Sequence, residues 1–233
     1  MKRILAIAIF VGIGALSHAA SANSITYSFT GTPGFTGGLP LSVTATFTTL
    51  ANEVQISVTN NQANPTSVIQ NLSDLVFTLS TGQNSGSILS SSAAERTVNG
   101  GGTFTTGPTV STGWALSTNG SGLELNVLGT VVGPAHTLIG PPDGTNLYSN
   151  ANGSIAGNGP HNPFLFGPML FDLSIPGVTT GSDISSVVFS FGTTDGNDVP
   201  GTPAPAPEPA TLLLVGSSMV GLGLARWRRS RAH

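Results

Sequence analysis

The chain of 233 residues is predicted to be all-β, with a single antiparallel β-sandwich or jelly-roll-like domain between two terminal segments of different character. Two observations predict this fold. Several segments alternate apolar and polar residues with a period of two, and turns rich in glycine and asparagine separate them at short spacing. Helices are expected only at the ends: one in an N-terminal signal peptide and one in a C-terminal hydrophobic segment.

The first three predicted strands show the alternation most clearly, and they span 24–30, 41–48 and 53–59. The second strand places Leu41, Val43, Ala45 and Phe47 on one face and serine or threonine on the other. This pattern is typical of an antiparallel strand with one face in the core and one in water. Further strands are predicted, after a polar loop over 60–71, at 74–80, 103–106, 113–117, 123–128, 164–175 and 184–191.

The charge distribution excludes one class of function. Charged residues make up 7% of the chain, and between Asn23 and Ala206 there are nine acids and one base, Arg96, a formal charge of −8. Such a segment repels a phosphate backbone, so no nucleic-acid partner is expected. The chain has no cysteine, which excludes disulfides, thiol catalysis and thiolate metal sites.

Residues 1–22 have the features of a secretory signal peptide. Lys2 and Arg3 precede an apolar run, Ile4–Leu16, and small residues end at Ala22. We therefore expect signal peptidase to cleave between Ala22 and Asn23. The alternative is a retained membrane helix, but the run is shorter than the roughly 20 residues that a comfortable span needs.

The C-terminal end has three parts in a fixed order. A proline-rich linker, 200–209, ends in Pro207-Glu208-Pro209, and an uncharged, mostly apolar helix is predicted over 210–225. A helix of that length is about 24 Å long, slightly shorter than the hydrocarbon core of a bilayer. The basic segment 226–233 then contributes a stop-transfer cluster, which consists of Arg226, Arg228, Arg229 and Arg231. By the positive-inside rule this tail stays in the cytoplasm, and the body, predicted over 23–199, lies outside the inner membrane.

These last residues resemble a PEP-CTERM sorting domain. The resemblance covers about the last 28 residues and rests on the order of Pro207-Glu208-Pro209, the hydrophobic helix and the arginine cluster. It implies that Pro207, Glu208 and Pro209 are recognised by an exosortase-type membrane processing enzyme. It also implies a transient inner-membrane anchor, cleavage near these residues and transfer to the cell surface or extracellular matrix, where exopolysaccharide would be a partner. A plain single-pass anchor with a proline-rich stalk is the alternative.

Candidate chemistry in the body is sparse, and neither a catalytic residue nor a metal ligand is assigned. The residues 135–162 lack periodicity, and a loop of that length tends to be functional or disordered. It contains His136, Asp143 and His161, which would have to converge to bind a metal. Asp195-Gly-Asn-Asp198 faintly resembles a calcium loop but lacks its spacing. The acids are spread along the chain, mostly beside turns, so no carboxylate pair for glycoside chemistry is predicted.

Glycan binding would need exposed aromatic rings, and few are available. Tyr27, Trp114 and Tyr148 are the candidates, while the phenylalanines at 47, 77, 171 and 189 are expected in the core. The sequence thus favours a non-enzymatic, exported surface or matrix protein without a cofactor, in a structural or adhesive role associated with exopolysaccharide. The alternative is a secreted glycan- or calcium-binding, lectin-like module with its site in 135–162.

Overall fold

The computed structural model describes residues 22–204. The predicted signal peptide up to residue 21, the motif Pro207-Glu208-Pro209, the hydrophobic helix and the basic tail lie outside the described residues. Within 22–204, no helix is both long and apolar enough to cross a membrane. The helical elements of this part of the chain are short 3-10 turns at Gly34–Thr36, Val68–Gln70, Gly133–His136 and Gly159–His161.

The described residues form thirteen β-strands. They are β1 (Asn23–Gly31), β2 (Leu41–Leu50), β3 (Glu53–Asn60), β4 (Leu72–Leu79), β5 (Ser87–Val98), β6 (Phe104–Val110), β7 (Ala115–Asn119), β8 (Gly122–Asn126), β9 (Leu138–Ile139), β10 (Phe164–Ser174), β11 (Ile184–Phe191), β12 (Asp198–Pro200) and β13 (Thr202–Pro203). The predicted all-β, single-domain fold is confirmed.

Strand pairing builds two antiparallel arms that a short strand connects. The large arm has the order β6-β5-β10-β3-β2-β1-β13, and the small arm has the order β7-β8-β4-β11-β12. Strand β9 pairs with β4 of the small arm and runs parallel to β10 of the large arm. This parallel pair corrects the expectation of a purely antiparallel sheet, because it joins the two arms into one mixed sheet.

The two arms pack against each other through a single apolar cluster, which we call the sandwich core. The rings of Phe47 on β2 and Phe77 on β4 lie 5.4 Å apart, and both side chains are fully buried. Tyr27 on β1 donates a 2.7 Å hydrogen bond to the carbonyl oxygen of Ile184 on β11. The alternate apolar residues of β2, Leu41, Val43, Ala45 and Phe47, all have no exposed surface, as the period of two predicts.

Nine strands overlap predicted segments, and β5, β9, β12 and β13 were not predicted. The longest of the four, β5, has no regular alternation: it reads SILSSSAAERTV. Its pairing with β10 shifts register twice, and its pairing with β6 shifts once. These irregularities interrupt the alternation of buried and exposed side chains along β5, so the strand has no regular pattern that the sequence could show.

The segment 135–162 is a packed part of the fold, which corrects its interpretation as a long loop without structure. It covers one end of the sandwich and supplies half of a second apolar cluster, which we call the end cluster. Tyr148 and Ile155 are at most 1% exposed there. The buried members of the end cluster are Val68, Val98, Ile139, Tyr148, Ile155 and Phe164.

The paired strands continue to the end of the described region. Strand β13 pairs with β1 through Tyr27 opposite Pro203 and Ser28 opposite Thr202. Residues 200–203, placed in the proline-rich linker by the sequence, therefore lie in or between strands. At the other end, Asn23 is the first residue of β1, directly after the expected signal peptidase site at Ala22.

Candidate functional site

The outer face of the large arm carries a shallow groove of about 280 Å³. Its walls come from the strands β2, β3, β5 and β10, whose alternate residues point away from the sandwich core. We call it the outer groove. Hydroxyl and amide side chains dominate its lining, which includes Thr46, Thr48, Gln55, Ser57, Ser90, Ser92, Leu170 and Asp172.

The outer groove combines hydrogen-bonding groups with one exposed apolar side chain. Leu170 is 46% exposed, although leucine is usually buried in a strand. Asp172 accepts a 2.6 Å hydrogen bond from the hydroxyl of Ser90 across the β5–β10 pair. Gln55 donates a 2.9 Å bond from its amide to the carboxylate of Glu53, which leaves its amide oxygen free to accept. The groove can therefore donate and accept hydrogen bonds beside a small apolar surface.

The aromatic side chains considered for glycan stacking are buried. Trp114 is 4% exposed and donates its indole N–H to the carbonyl oxygen of His136 at 2.9 Å. Tyr148 is 1% exposed and donates its hydroxyl to the carbonyl oxygen of Gly140 at 2.9 Å. Tyr27 is 4% exposed, and burial raises the pKa of its phenol. These three rings serve the packing of the fold, so none is available as a stacking surface.

The histidines and the aspartate of 135–162 are each engaged by a different neighbour. The Nδ1 atom of His136 lies 2.7 Å from the carbonyl oxygen of Thr112, and its Nε2 atom lies 3.6 Å from the carboxylate of Glu95. The Nδ1 atom of His161 lies 2.8 Å from the carbonyl oxygen of Ser154. Among residues 22–204, no group of three or more histidine, aspartate or glutamate side chains is arranged to hold a metal ion.

Asp143 organises a tight turn in this segment. Its Oδ1 atom accepts hydrogen bonds from the hydroxyl and the backbone N–H of Thr145 and from the backbone N–H of Leu147, and Oδ2 accepts from the hydroxyl of Ser149. These bonds, from the hydroxyls of Ser149 and Thr145 above all, hold the pKa of the carboxyl well below its usual range. The role of Asp143 in this geometry is that of a turn-forming residue.

Four acids from three strands and one turn line one pocket on the outer face of the small arm. We call this cavity of about 110 Å³ the acidic pocket, and its carboxyl groups come from Asp74, Glu124, Asp195 and Asp198. Strand order brings them together, because β4 lies between β8 and β11, and β12 follows β11. Sequence reasoning missed this convergence, since no local signal reveals which strands become neighbours.

Asp74 and Glu124 form a carboxyl pair within the acidic pocket. Burial, the hydrogen bond with Glu124 and the nearby carboxylates together raise the pKa of Asp74 to about 9. The hydrogen bond from Asp74 lowers the pKa of Glu124, and the amides of Asn119 and Asn126, at 2.9 and 2.8 Å, contribute to the same effect. At neutral pH the pair therefore holds one proton, located on Asp74.

Arg96, the single base between Asn23 and Ala206, lies in the interior of the end cluster. It is 5% exposed, and its guanidinium carbon lies 3.2 Å from the ring centre of Phe166 and 4.1 Å from that of Phe104. It donates 3.2 Å hydrogen bonds to the hydroxyls of Tyr148 and Thr106. Its charge is thus stabilised by aromatic faces and hydroxyls, and the guanidinium does not point to an external anion.

Comparison of the chain with protein-family models, with curated proteins and with solved structures found no match. The expected recognition residues Pro207, Glu208 and Pro209 and the arginine cluster 226–231 lie outside the described residues.

Proposed function

We propose that this protein is an exported, non-enzymatic surface or matrix protein that carries a PEP-CTERM sorting signal and associates with exopolysaccharide. The observation that carries the proposal is the order of the C-terminal segments: Pro207-Glu208-Pro209, then an apolar run, then four arginines. An N-terminal segment with the features of a signal peptide completes this arrangement. A chain with both ends of this kind crosses the inner membrane and is held there by its C-terminal helix until processing.

The body supports this role by its surface chemistry. With one base against nine acids, the body carries few charges, and its outward strand faces bear many hydroxyl side chains. The outer groove offers such groups beside the exposed Leu170, a combination that suits the hydroxyl-rich edges and apolar C–H faces of sugars. The formal charge of −8 and Asp172 in the groove disfavour polysaccharides rich in uronic acid. The proposed ligand class is therefore a neutral polysaccharide.

The proposed sorting motif follows the folded region closely along the chain. Strand β13 ends at Pro203, and Pro207 follows four residues later. A proline-rich spacer favours an extended conformation of about 3.1 Å per residue. The motif would then stand clear of the sandwich and close to the membrane, where a processing enzyme of the exosortase type could reach it.

Mass spectrometry of the mature protein from its native host tests the sorting proposal. We expect residues 1–22 to be absent and the C-terminal arginines to have been removed near Pro207-Glu208-Pro209. Surface-exposed protein that retains Arg231 would contradict the proposal and favour a permanent anchor. The variant Glu208→Ala should fold normally and accumulate in the inner membrane, and its normal arrival outside the cell would show that Glu208 is not recognised.

Binding to immobilised neutral polysaccharide tests the role of the outer groove. The double variant Gln55→Ala/Leu170→Ala should reduce retention at least about tenfold, because it removes an amide and the apolar contact from the groove. The matched control is Leu89→Ala, which removes another exposed leucine, 62% exposed, outside the lining of the groove. Equal retention of the double variant and the control would reject the groove as the binding surface.

A further inference from the structure

Strand β1 lies near the outer edge of the large arm, and β13 covers only part of it. Strand β13 pairs with Tyr27 and Ser28 alone. No other strand among the described residues pairs with β1 on this side. Toward the N-terminus of β1, Ser24 is exposed. An edge strand with unpaired N–H and C=O groups is a template on which another extended segment can pair.

The last described residue fixes the direction in which the β1–β13 pairing would continue. The N–H of Ala204 donates a 2.7 Å hydrogen bond to the carbonyl oxygen of Thr26. Because the two strands are antiparallel, each further residue of the chain meets the preceding residue of β1. Ala206 would therefore lie opposite Ser24, in the same relation as Ala204 to Thr26.

The linker has a proline at every second position, and these prolines fall where a paired edge strand tolerates them. In an antiparallel pair, N–H groups point alternately toward the partner strand and away from it. The N–H of Ala204 points to β1, so the N–H of Ala206 would do the same. Pro203 and Pro205 stand at the positions whose N–H would face solvent. Proline has no N–H to donate, and in sheets it is found on edge strands with that side outward.

The side chains of the linker also match the faces of the sheet. Residues directly opposite each other in an antiparallel pair lie on the same face. Pro203 lies opposite Tyr27, which is 4% exposed and belongs to the sandwich core. Pro205 would lie opposite Ile25, which packs against that core but is only half-buried. A proline ring at this position would cover apolar surface that the described strands leave exposed.

We propose that Pro205 and Ala206 extend β13 along the edge of β1, with Ala206 and Ser24 exchanging backbone hydrogen bonds. The open edge is thus occupied by a segment of this chain, in continuity with the β1–β13 pair. By the same register Pro207 reaches Asn23, the first residue of β1, so the sheet ends where the sorting motif begins.

The pairing has two consequences for an exported protein. The edge of β1, on which a second copy could otherwise pair, is closed by a segment whose outward side lacks N–H groups. The signal peptide and the hydrophobic segment both leave the body at one corner, so this corner faces the membrane before processing. The second consequence rests on the proposed sorting function, whereas the pairing itself does not.

Disulfide trapping in the full chain, purified in mild detergent, tests the pairing. The chain has no cysteine, so each introduced pair reports a single contact. Under mild oxidation, Ser24→Cys/Ala206→Cys should form an intramolecular disulfide. Opposite residues of an antiparallel pair have Cα atoms about 4.5–5.5 Å apart, which a disulfide can bridge. The positive control is Thr26→Cys/Ala204→Cys, a pair whose backbone groups are hydrogen-bonded in the structure.

The matched negative control is Thr30→Cys/Ala206→Cys, because Thr30 lies about 20 Å from Ser24 along β1. We expect the pair at 24 and 206 to close at a rate similar to the positive control and at least about tenfold faster than the negative control. Closure at the rate of the negative control would overturn the proposal. Disulfide-linked dimers in place of the intramolecular bond would also overturn it, in favour of a second copy at this edge.

Exchanging the order of the prolines tests their role. Pro205→Ala/Ala206→Pro keeps the composition but removes the N–H that points to β1, where a proline interrupts pairing. Hydrogen exchange at the amide of Ser24 should be at least about tenfold faster than in Pro205→Ala alone, which keeps that N–H. Equal exchange in the two variants would overturn the proposal. Neither experiment involves a processing enzyme, so each outcome is independent of the sorting test with Glu208→Ala.

Discussion

The sandwich core and the end cluster are both closely packed, but they are built in different ways. The sandwich core is formed by strands of both arms whose alternate residues are apolar, such as Val54, Ile56 and Val58 on β3. The end cluster draws single residues from the 3-10 turn at Val68–Gln70, from the ends of β5 and β10, from β9 and from the irregular part of 135–162. A regular pattern thus forms the first region, and specific contacts between distant segments form the second.

Two buried polar side chains near these regions, Asp74 and Arg96, are stabilised in opposite ways. Asp74, on the outer face of the small arm, is kept neutral by a proton that it shares with Glu124. Arg96 in the end cluster keeps its charge between the rings of Phe104 and Phe166. A carboxyl can give up its charge at neutral pH and a guanidinium cannot, so only the arginine needs permanent stabilising partners.

The largest expected effect tests the sandwich core. Phe77→Ala should lower the free energy of unfolding by about 3–5 kcal/mol, because the ring is fully buried and its removal leaves a cavity beside Phe47. Urea unfolding measures the change. Val131→Ala, at a fully exposed position, is the control and should change stability by less than about 0.5 kcal/mol. A loss below about 1 kcal/mol for Phe77→Ala would mean that the two arms do not depend on this contact.

The next effect tests the close approach that holds the end cluster to the sandwich. A Cβ atom on Gly140 would lie 2.0 Å from the backbone oxygen of Gln62, so Gly140→Ala should destabilise the protein by about 2–3 kcal/mol. Gly144→Ala, four residues away in the same segment, meets nothing within 4 Å and is the matched control. Similar urea midpoints for the two variants would show that 135–162 is not held against Gln62.

A smaller effect is expected from Arg96→Lys, which retains the charge but removes the planar group that stacks on Phe166 and bonds to Tyr148. We expect a loss of about 1–2 kcal/mol, since lysine cannot reproduce this arrangement. Proteolysis should show earlier cleavage within 135–162 than in the unaltered protein. An unchanged cleavage pattern and unchanged stability would contradict the assigned role of the guanidinium.

The last effect is opposite in sign to the others, because it is a gain in stability, and it depends on pH. The pKa of Asp74 is about 9 in the folded protein and near 3.8 in the unfolded chain, so stability from this group is present at acid pH and is lost as the pH rises from about 4 to about 9. Asp74→Asn keeps a hydrogen-bond donor to Glu124. Because asparagine does not ionise, the variant should not lose stability through this side chain as the pH rises. The variant should be more stable than the unaltered protein at pH 8, and this gain should grow by at most about 1.4 kcal/mol per pH unit above about pH 4.

Unfolding curves at pH 4, 6 and 8 measure this difference, which should shrink toward zero at pH 4. A difference that is constant with pH would show that Asp74 is ionised in the folded protein at neutral pH. In that case the carboxyl pair does not share a proton, although the packing of the small arm would be unaffected.

The predictable part of the body follows from local alternation. In β2 and β3 the side-chain period of two matches the burial residue by residue, and both strands were predicted within two residues of their ends. Strand β5 was missed because its register shifts destroy that period, and β9, β12 and β13 were missed because two or three residues carry no periodic signal. The outer groove was not predicted either. In the sequence, the serines and threonines that line it cannot be distinguished from those on any other solvent-exposed strand face.

The sequence by itself determined the all-β class, the inward faces of the clearest strands, the charge of the body and the character of the two ends. These properties depend on composition and on neighbours along the chain. The tertiary structure alone decided that Trp114 and Tyr148 are interior residues, that 135–162 is packed, and that Asp74 meets Glu124 and Asp198. Those outcomes depend on which strands pair across gaps of 46 to 119 residues, and no local interaction encodes that order.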